Sequence, residues 1–106
     1  MQRTGVTADL EGFDQVYRHH VDRVVDGDLP AVLSDMADGS VPQVFVGVET
    51  PRGAVDGFDI RSVSLDGDRA VGECVYTTAG ASIGLRSGWS HDGSTWKADR
   101  LENFQP

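Results

Sequence analysis

Tyr17 and His20 are the residues whose types and spacing most readily support chemistry. They lie three positions apart, which places both on one face of an α-helix. A tyrosine hydroxyl in a dry pocket can stabilise an oxyanion, and a neutral histidine can act as a general base. The commoner alternatives are a core tyrosine with its hydroxyl at the rim and a boundary histidine with a satisfied hydrogen bond. Either way both side chains are predicted to point inward, whereas His19 and His91 are predicted to be solvated.

The end of the chain carries an unusual charged pattern. Alternation along a strand at 95–104 puts Arg100 and Glu102 on the same face as Trp96 and Phe104. Two charges on an apolar face are costly unless they pair. Arg100 and Glu102 are therefore predicted to point inward, either as a structural ion pair or as the polar floor of a pocket. In a pocket, Glu102 is a candidate for moving a proton and Arg100 for holding an anion.

Two further aromatic residues are candidate ligand contacts. Tyr76 shares a strand face with Cys74, and Trp89 shares one with Leu85. All could line a cavity, but core packing explains them equally well. The three histidines and one cysteine have no zinc-binding spacing, and no phosphate-binding glycine loop is present. The sequence predicts no metal and no cofactor.

These side chains must be positioned by two N-terminal helices. Apolar residues recur with helical spacing through 8–26, with Thr7 as the expected N-cap and Gly27 as the C-cap. A second, shorter helix is predicted to start after Asp28 and to end at Gly39, with Leu29, Val32, Leu33 and Met36 on its inner face.

Strands are predicted for the rest of the chain, where β-branched and aromatic residues are frequent. Short turn signals separate the runs, which predicts an antiparallel meander. The fold class is therefore α+β, with helices covering one face of the sheet. The predicted strands are Val44–Glu49, Phe58–Leu65, Arg69–Thr78, Ser82–Ser90 and Thr95–Phe104.

Length and charge limit the classes of function. With 106 residues the chain has room for one domain, with an ordered core at about 8–104. The net charge of −8, without any basic cluster, argues against nucleic acid and anionic membranes as partners. The lone Cys74 allows no internal disulfide, and no apolar run reaches the ~20 residues of a membrane span. A cytoplasmic location is the expectation.

The order of elements resembles the nuclear transport factor 2-like superfamily, including its polyketide-cyclase (SnoaL-like) and ketosteroid isomerase branches. The resemblance rests on the Asp-Gly-Asp-Leu corner at 26–29, a short helix ending in Asp-Met-Ala-Asp at 35–38, and an Asp-Gly-x-x-Trp hairpin at 92–96. It covers about Asp9 to Phe104. A Gly/Pro-punctuated connector at 47–56 replaces the third helix that this superfamily usually carries.

The resemblance implies a cone-shaped α+β barrel around an apolar pocket, and dimers are common in the superfamily. Ketosteroid isomerase-like proteins place a hydrogen-bonding tyrosine where Tyr17 stands. Their carboxylate base lies on the strand after the second helix, and 40–48 contains no Asp or Glu. Isomerase chemistry by that route is therefore not predicted. A homodimer through the outer, convex side of the sheet is predicted, partly from the resemblance. The second reason is that Val63 and Leu65 are out of phase with Phe58 and Ile60 and would leave apolar residues on both faces of one strand.

Three functions remain open from the sequence. The first is a binding module that holds a small, mostly apolar molecule against Tyr17, His20, Tyr76, Trp89, Arg100 and Glu102. The second is an enzyme of the cyclase, isomerase or hydratase kind in the same pocket, with His20 or Glu102 moving a proton. The third is a dimerisation or scaffold domain whose cone is filled by its own side chains. Binding is favoured over catalysis because no clear acid–base pair is visible.

Overall fold

The computed structural model describes residues 9–41, 43–51 and 55–106, and its elements follow the predicted order of helices before strands. None of the helices in these ranges has the length and apolar character needed to cross a bilayer. The elements are α1 (Leu10–Asp26), α2 (Leu29–Ser34), a 3-10 helix (Gln43–Phe45), β1 (Val55–Asp66), β2 (Arg69–Thr78), β3 (Ala81–His91) and β4 (Trp96–Phe104).

Helix α1 begins and ends at residues that satisfy its unpaired backbone groups. The Asp9 carboxylate accepts a hydrogen bond from the Gly12 N–H at 2.8 Å, so Asp9 is the N-cap. The predicted N-cap Thr7 lies outside the described residues. Gly27 has φ 73°, and this left-handed conformation ends the helix. The inner face is the predicted one, because Tyr17 and His20 are buried whereas His19 is exposed.

Helix α2 is shorter than predicted. It ends at Ser34 rather than near Gly39, and none of its residues is buried. The predicted inner face is wrong for Leu29 and Leu33, which are 61% and 38% exposed. Met36 is buried, but it lies beyond the helix and forms a parallel bridge with Ala98 on β4. At this point the chain pairs with the edge of β4, because the Ala98 N–H donates to the Asp35 carbonyl at 2.9 Å and the Ala37 N–H donates to the Ala98 carbonyl at 2.7 Å.

The predicted strand at Val44–Glu49 is wrong. This stretch contains the 3-10 helix and turns instead. Gly47 has φ 74°, which no extended strand accommodates. The connector is nevertheless attached to β4, because the Asn103 side chain donates to the Glu49 carbonyl at 2.8 Å and accepts from the Glu49 N–H at 2.7 Å.

The four strands form one antiparallel sheet in the order β1-β2-β3-β4. The meander and the remaining strand predictions are confirmed to within a few residues. The sheet is open, and the predicted cone-shaped barrel is not confirmed. Helix α1 packs on one face, which we call the inner face, and an aromatic group fills the core there. The fully buried aromatic residues are Phe13, Tyr17, Tyr76, Trp89 and Trp96.

A β-bulge in β1 overturns one argument for a dimer. Ile60 pairs with Cys74 and Ser62 with Glu73, so Arg61 is an extra residue that resets the alternation. Val63 lies opposite Gly72, on the same face as Ile60. The apolar residues of β1 are therefore on one face, and the predicted two-faced strand is wrong. The homodimer itself stays a prediction.

Candidate functional site

A cavity of about 260 Å³ lies between the helices, the connector and the inner face of β3 and β4. Its buried end is formed by His20, Met36 and Leu85, whereas Arg23 and Leu29 are exposed at its mouth. The described lining residues are His20, Arg23, Val24, Gly27, Leu29, Val32, Met36, Phe45, Thr50, Pro51, Leu85 and Leu101. Most are apolar, and they come from every layer of the fold, so only the folded chain creates this space.

His20 is the polar group at the buried end of the cavity. It is 6% exposed, and its Nδ1 lies 2.9 Å from Oδ2 of Asp35. The Trp89 indole packs edge-on against the imidazole, with ring centroids 5.0 Å apart. Because a carboxylate accepts the hydrogen bond, Nδ1 carries the proton in the neutral ring, and the pair fixes both tautomer and orientation.

The other ring nitrogen of His20, Nε2, is not used by the hydrogen bond to Asp35. Every buried side-chain nitrogen or oxygen among the described residues has a hydrogen-bond partner, and the hydrogen bond of this ring is made by Nδ1. Nε2 therefore keeps some accessible surface, and His20 is one of the residues that line the cavity. In the neutral ring Nε2 has a lone pair, so it can accept a hydrogen bond or a proton from a bound molecule.

Tyr17 is part of the core rather than of the cavity wall. Its ring lies against the backbone of Gly72, where a Cβ atom would be 2.4 Å from Cζ, and it stacks on Phe13 with centroids 5.7 Å apart. Burial raises the pKa of its hydroxyl above the usual range, Cys74 raises it further, and a hydrogen bond with Ser87 lowers it in part. The structure places Tyr17 near His20 on α1 but not among the lining residues.

Tyr76, Trp89 and Cys74 are also inner-face core residues. Each is at most 2% exposed, and none lines the cavity. The Trp89 indole N–H donates to Ser87 at 2.7 Å, so its polar atom is already used. Burial raises the pKa of the Cys74 thiol to about 11, and a thiol of this kind is a poor nucleophile at neutral pH.

The predicted inward placement of Arg100 and Glu102 is wrong. Gly88 pairs with Arg100 and Trp89 with Ala98, so Asp99 is an extra residue in β4. This bulge reverses the alternation beyond it. Leu101 then takes the inner position and lines the cavity, whereas Arg100 and Glu102 are exposed on the outer face.

The outer face carries a polar network that includes Glu102. Arg86 lies 3.2 Å from the Glu102 carboxylate and donates to Glu73 at 2.6 Å. The Ser62 hydroxyl donates to the other Glu73 oxygen at 2.7 Å. These bonds, that of Ser62 first and that of Arg86 second, hold the pKa of Glu73 below its usual range. Arg100 pairs instead with its neighbour Asp99 at 3.2 Å. The predicted Arg100–Glu102 pair is replaced by these contacts.

Sequence reasoning identified His20 but missed Asp35 and Arg23. Asp35 is 15 residues from His20, so no helical spacing connects them, and only the corner between α1 and α2 brings them together. Arg23 is one turn beyond His20 on α1, a spacing that could have indicated it. In the described part of the chain, no group of three or more His, Cys, Asp or Glu residues could hold a metal ion.

No family model, curated protein or solved structure matches this chain. The resemblance to the nuclear transport factor 2-like superfamily therefore stays a prediction.

Proposed function

We propose that this protein binds a small, mostly apolar molecule in the cavity under α1, with His20 as its polar contact. The observation that carries the proposal is the part-buried His20–Asp35 pair, which orients the imidazole and leaves its second nitrogen free at a mostly apolar cavity. Specific sites typically combine apolar walls with a few convergent polar groups. The cavity takes the role that the resemblance gives to the interior of a cone.

The volume limits the size of the ligand. A cavity of roughly 150 Å³ holds benzene, so 260 Å³ corresponds by proportion to about ten non-hydrogen atoms. A suitable probe is 1-naphthol, because its hydroxyl can donate to Nε2 of His20. Naphthalene is the matched probe that lacks this donor.

The test is an NMR titration of the parent protein and of two pairs of variants. We expect 1-naphthol to bind the parent more tightly than naphthalene, and His20→Phe to remove that preference. His19→Phe, the exposed neighbour, is the control and should keep it. Leu101→Phe should block both probes by filling the cavity, whereas Leu65→Phe, a similarly half-buried inner-face residue outside it, should not. If no probe binds the parent, the proposal is wrong and a scaffold role is favoured.

A second candidate function is proton transfer in the same cavity. A carboxylate–histidine pair with the outer nitrogen free is an arrangement that general bases use. The probe is 5-nitrobenzisoxazole, whose ring opens when one C–H proton is removed. We expect the parent and His19→Phe to accelerate this opening relative to His20→Phe. Equal rates for all three proteins would exclude His20 as a base.

The homodimer is a separate proposal, supported by the resemblance alone. Light scattering at tens of micromolar tests it, and a monomer mass would overturn it.

A further inference from the structure

The charge of the cavity differs from the charge of the chain. The protein has 17 acidic and nine basic residues, yet Arg23 is the one ionic side chain among the described residues that line the cavity. No carboxylate stands on that wall. Asp35 is near, but its Oδ2 is hydrogen-bonded to Nδ1 of His20, and Asp35 is not one of the lining residues. In an acidic protein, a wall without acids and with one arginine favours a negatively charged ligand.

Arg23 is also free of ion pairs with the described residues, unlike most arginines here. Arg18, Arg61, Arg86 and Arg100 each lie within 3.2 Å of a carboxylate oxygen. Asp26 stands one turn from Arg23 on α1 and still forms no ion pair with it. The guanidinium therefore keeps its planar set of donors available at the mouth of the cavity.

We propose that the ligand carries a carboxylate, which Arg23 binds at the mouth while the apolar body lies against Met36, Leu85 and Leu101. This rests on the proposed function, because it requires the cavity to take a small molecule. Arginine is suited to this role because its fork of N–H donors matches the two oxygens of a carboxylate. The ligand class is a small aliphatic or aromatic carboxylic acid of about ten non-hydrogen atoms, by the same proportion as above.

Octanoate and octanamide are matched probes for this class. Both have about ten non-hydrogen atoms, the number estimated from the cavity volume, and they differ in the charge of the head group. Calorimetric titrations at pH 7 would use the parent, Arg23→Gln and Arg18→Gln. Arg18 is on the same helix, is 59% exposed in its side chain, and pairs with Asp14 away from the cavity. Both variants change the net charge equally, so unspecific electrostatic effects cancel.

We expect the parent and Arg18→Gln to bind octanoate about tenfold more tightly than octanamide, a typical effect of one charged hydrogen-bonded contact. Arg23→Gln should bind the two probes equally. Equal affinities in the parent would overturn the carboxylate inference and leave the proposed function standing. An unchanged preference in Arg23→Gln would overturn the assignment to Arg23. If the parent binds neither these probes nor the naphthalenes, both proposals fail.

Discussion

Replacing Gly72 with alanine tests what positions α1, and with it His20, over the sheet. An added Cβ atom would lie 2.4 to 2.7 Å from three ring atoms of Tyr17. Carbon atoms in contact stay about 3.5–4.0 Å apart, so the overlap is about 1 Å at each of them. The methyl group and the ring cannot both keep their places.

Neither partner has room to move. The Tyr17 ring is held between Phe13 and Trp89, with centroid distances of 5.7 and 6.2 Å. Gly72 is paired on both sides, with Val63 on β1 and Ser87 on β3. Overpacking of a dense core typically costs about 1–3 kcal/mol, and we expect the upper end here. For a domain of this size that corresponds to a fall in melting temperature of about 10–20 °C.

The assay is chemical and thermal unfolding of Gly72→Ala beside Gly57→Ala. Gly57 is also a strand glycine without positive φ, but a Cβ atom there would meet nothing within 4 Å. We expect Gly57→Ala to change the free energy of unfolding by less than about 1 kcal/mol, because alanine restricts the unfolded chain without strain in the native state.

A double-mutant cycle with Tyr17→Leu identifies the clash. A leucine side chain leaves the space above Gly72 that the phenol ring fills, so Gly72→Ala should cost less than half as much in that background. The reasoning is refuted if Gly72→Ala unfolds like Gly57→Ala. It is also refuted if its cost is undiminished when Tyr17 is absent.

Three smaller predictions follow from other contacts. Asp35→Asn should leave His20 with a mixture of tautomers instead of the Nδ1–H form. The ¹⁵N chemical shifts of the His20 ring measure this, and an unchanged tautomer would contradict the assigned role of Asp35. Cys74 should resist a thiol reagent at pH 8 in the native state and react in urea. The reason is that a pKa of about 11 leaves about 0.1% of the thiol as thiolate at that pH. Fast labelling of the native protein would disprove this. Glu73 has a lowered pKa in the folded state, so its stabilising contribution is present above its ordinary pKa and lost as pH falls through the folded value. Glu73→Gln should therefore lose less stability than the parent between about pH 5 and pH 3, and an equal loss would remove Glu73 as a cause.

Local sequence determined helix α1, the four strands of the meander and the inward direction of His20. The apolar stripe of α1 and the Gly27 cap specify a helix and its buried face without help from the rest of the chain. The turn residues between the strands specify hairpins in the same way, which is why the meander was predictable. These signals are carried by neighbouring residues, so one sequence suffices to read them.

The bulges at Arg61 in β1 and Asp99 in β4 could not be predicted, because a single extra residue in a strand has no distinct sequence signature. One places Ile60 and Val63 on the same face, and the other turns Arg100 and Glu102 outward. In each case the pairing with the neighbouring strand departs from regular alternation along the strand. The register depends on how two strands pair, so it cannot be read from the sequence of either strand alone.

The candidate site likewise combines features that local sequence determines with features that only tertiary structure determines. That His20 faces inward was already determined by helical periodicity. Its partner Asp35, the pairing of Asp35–Ala37 with the edge of β4, and the cavity closed by the connector were decided only by tertiary structure. The physical reason is that a cavity is the space left when helices, connector and sheet pack together, and its polar contacts join residues that are distant in sequence.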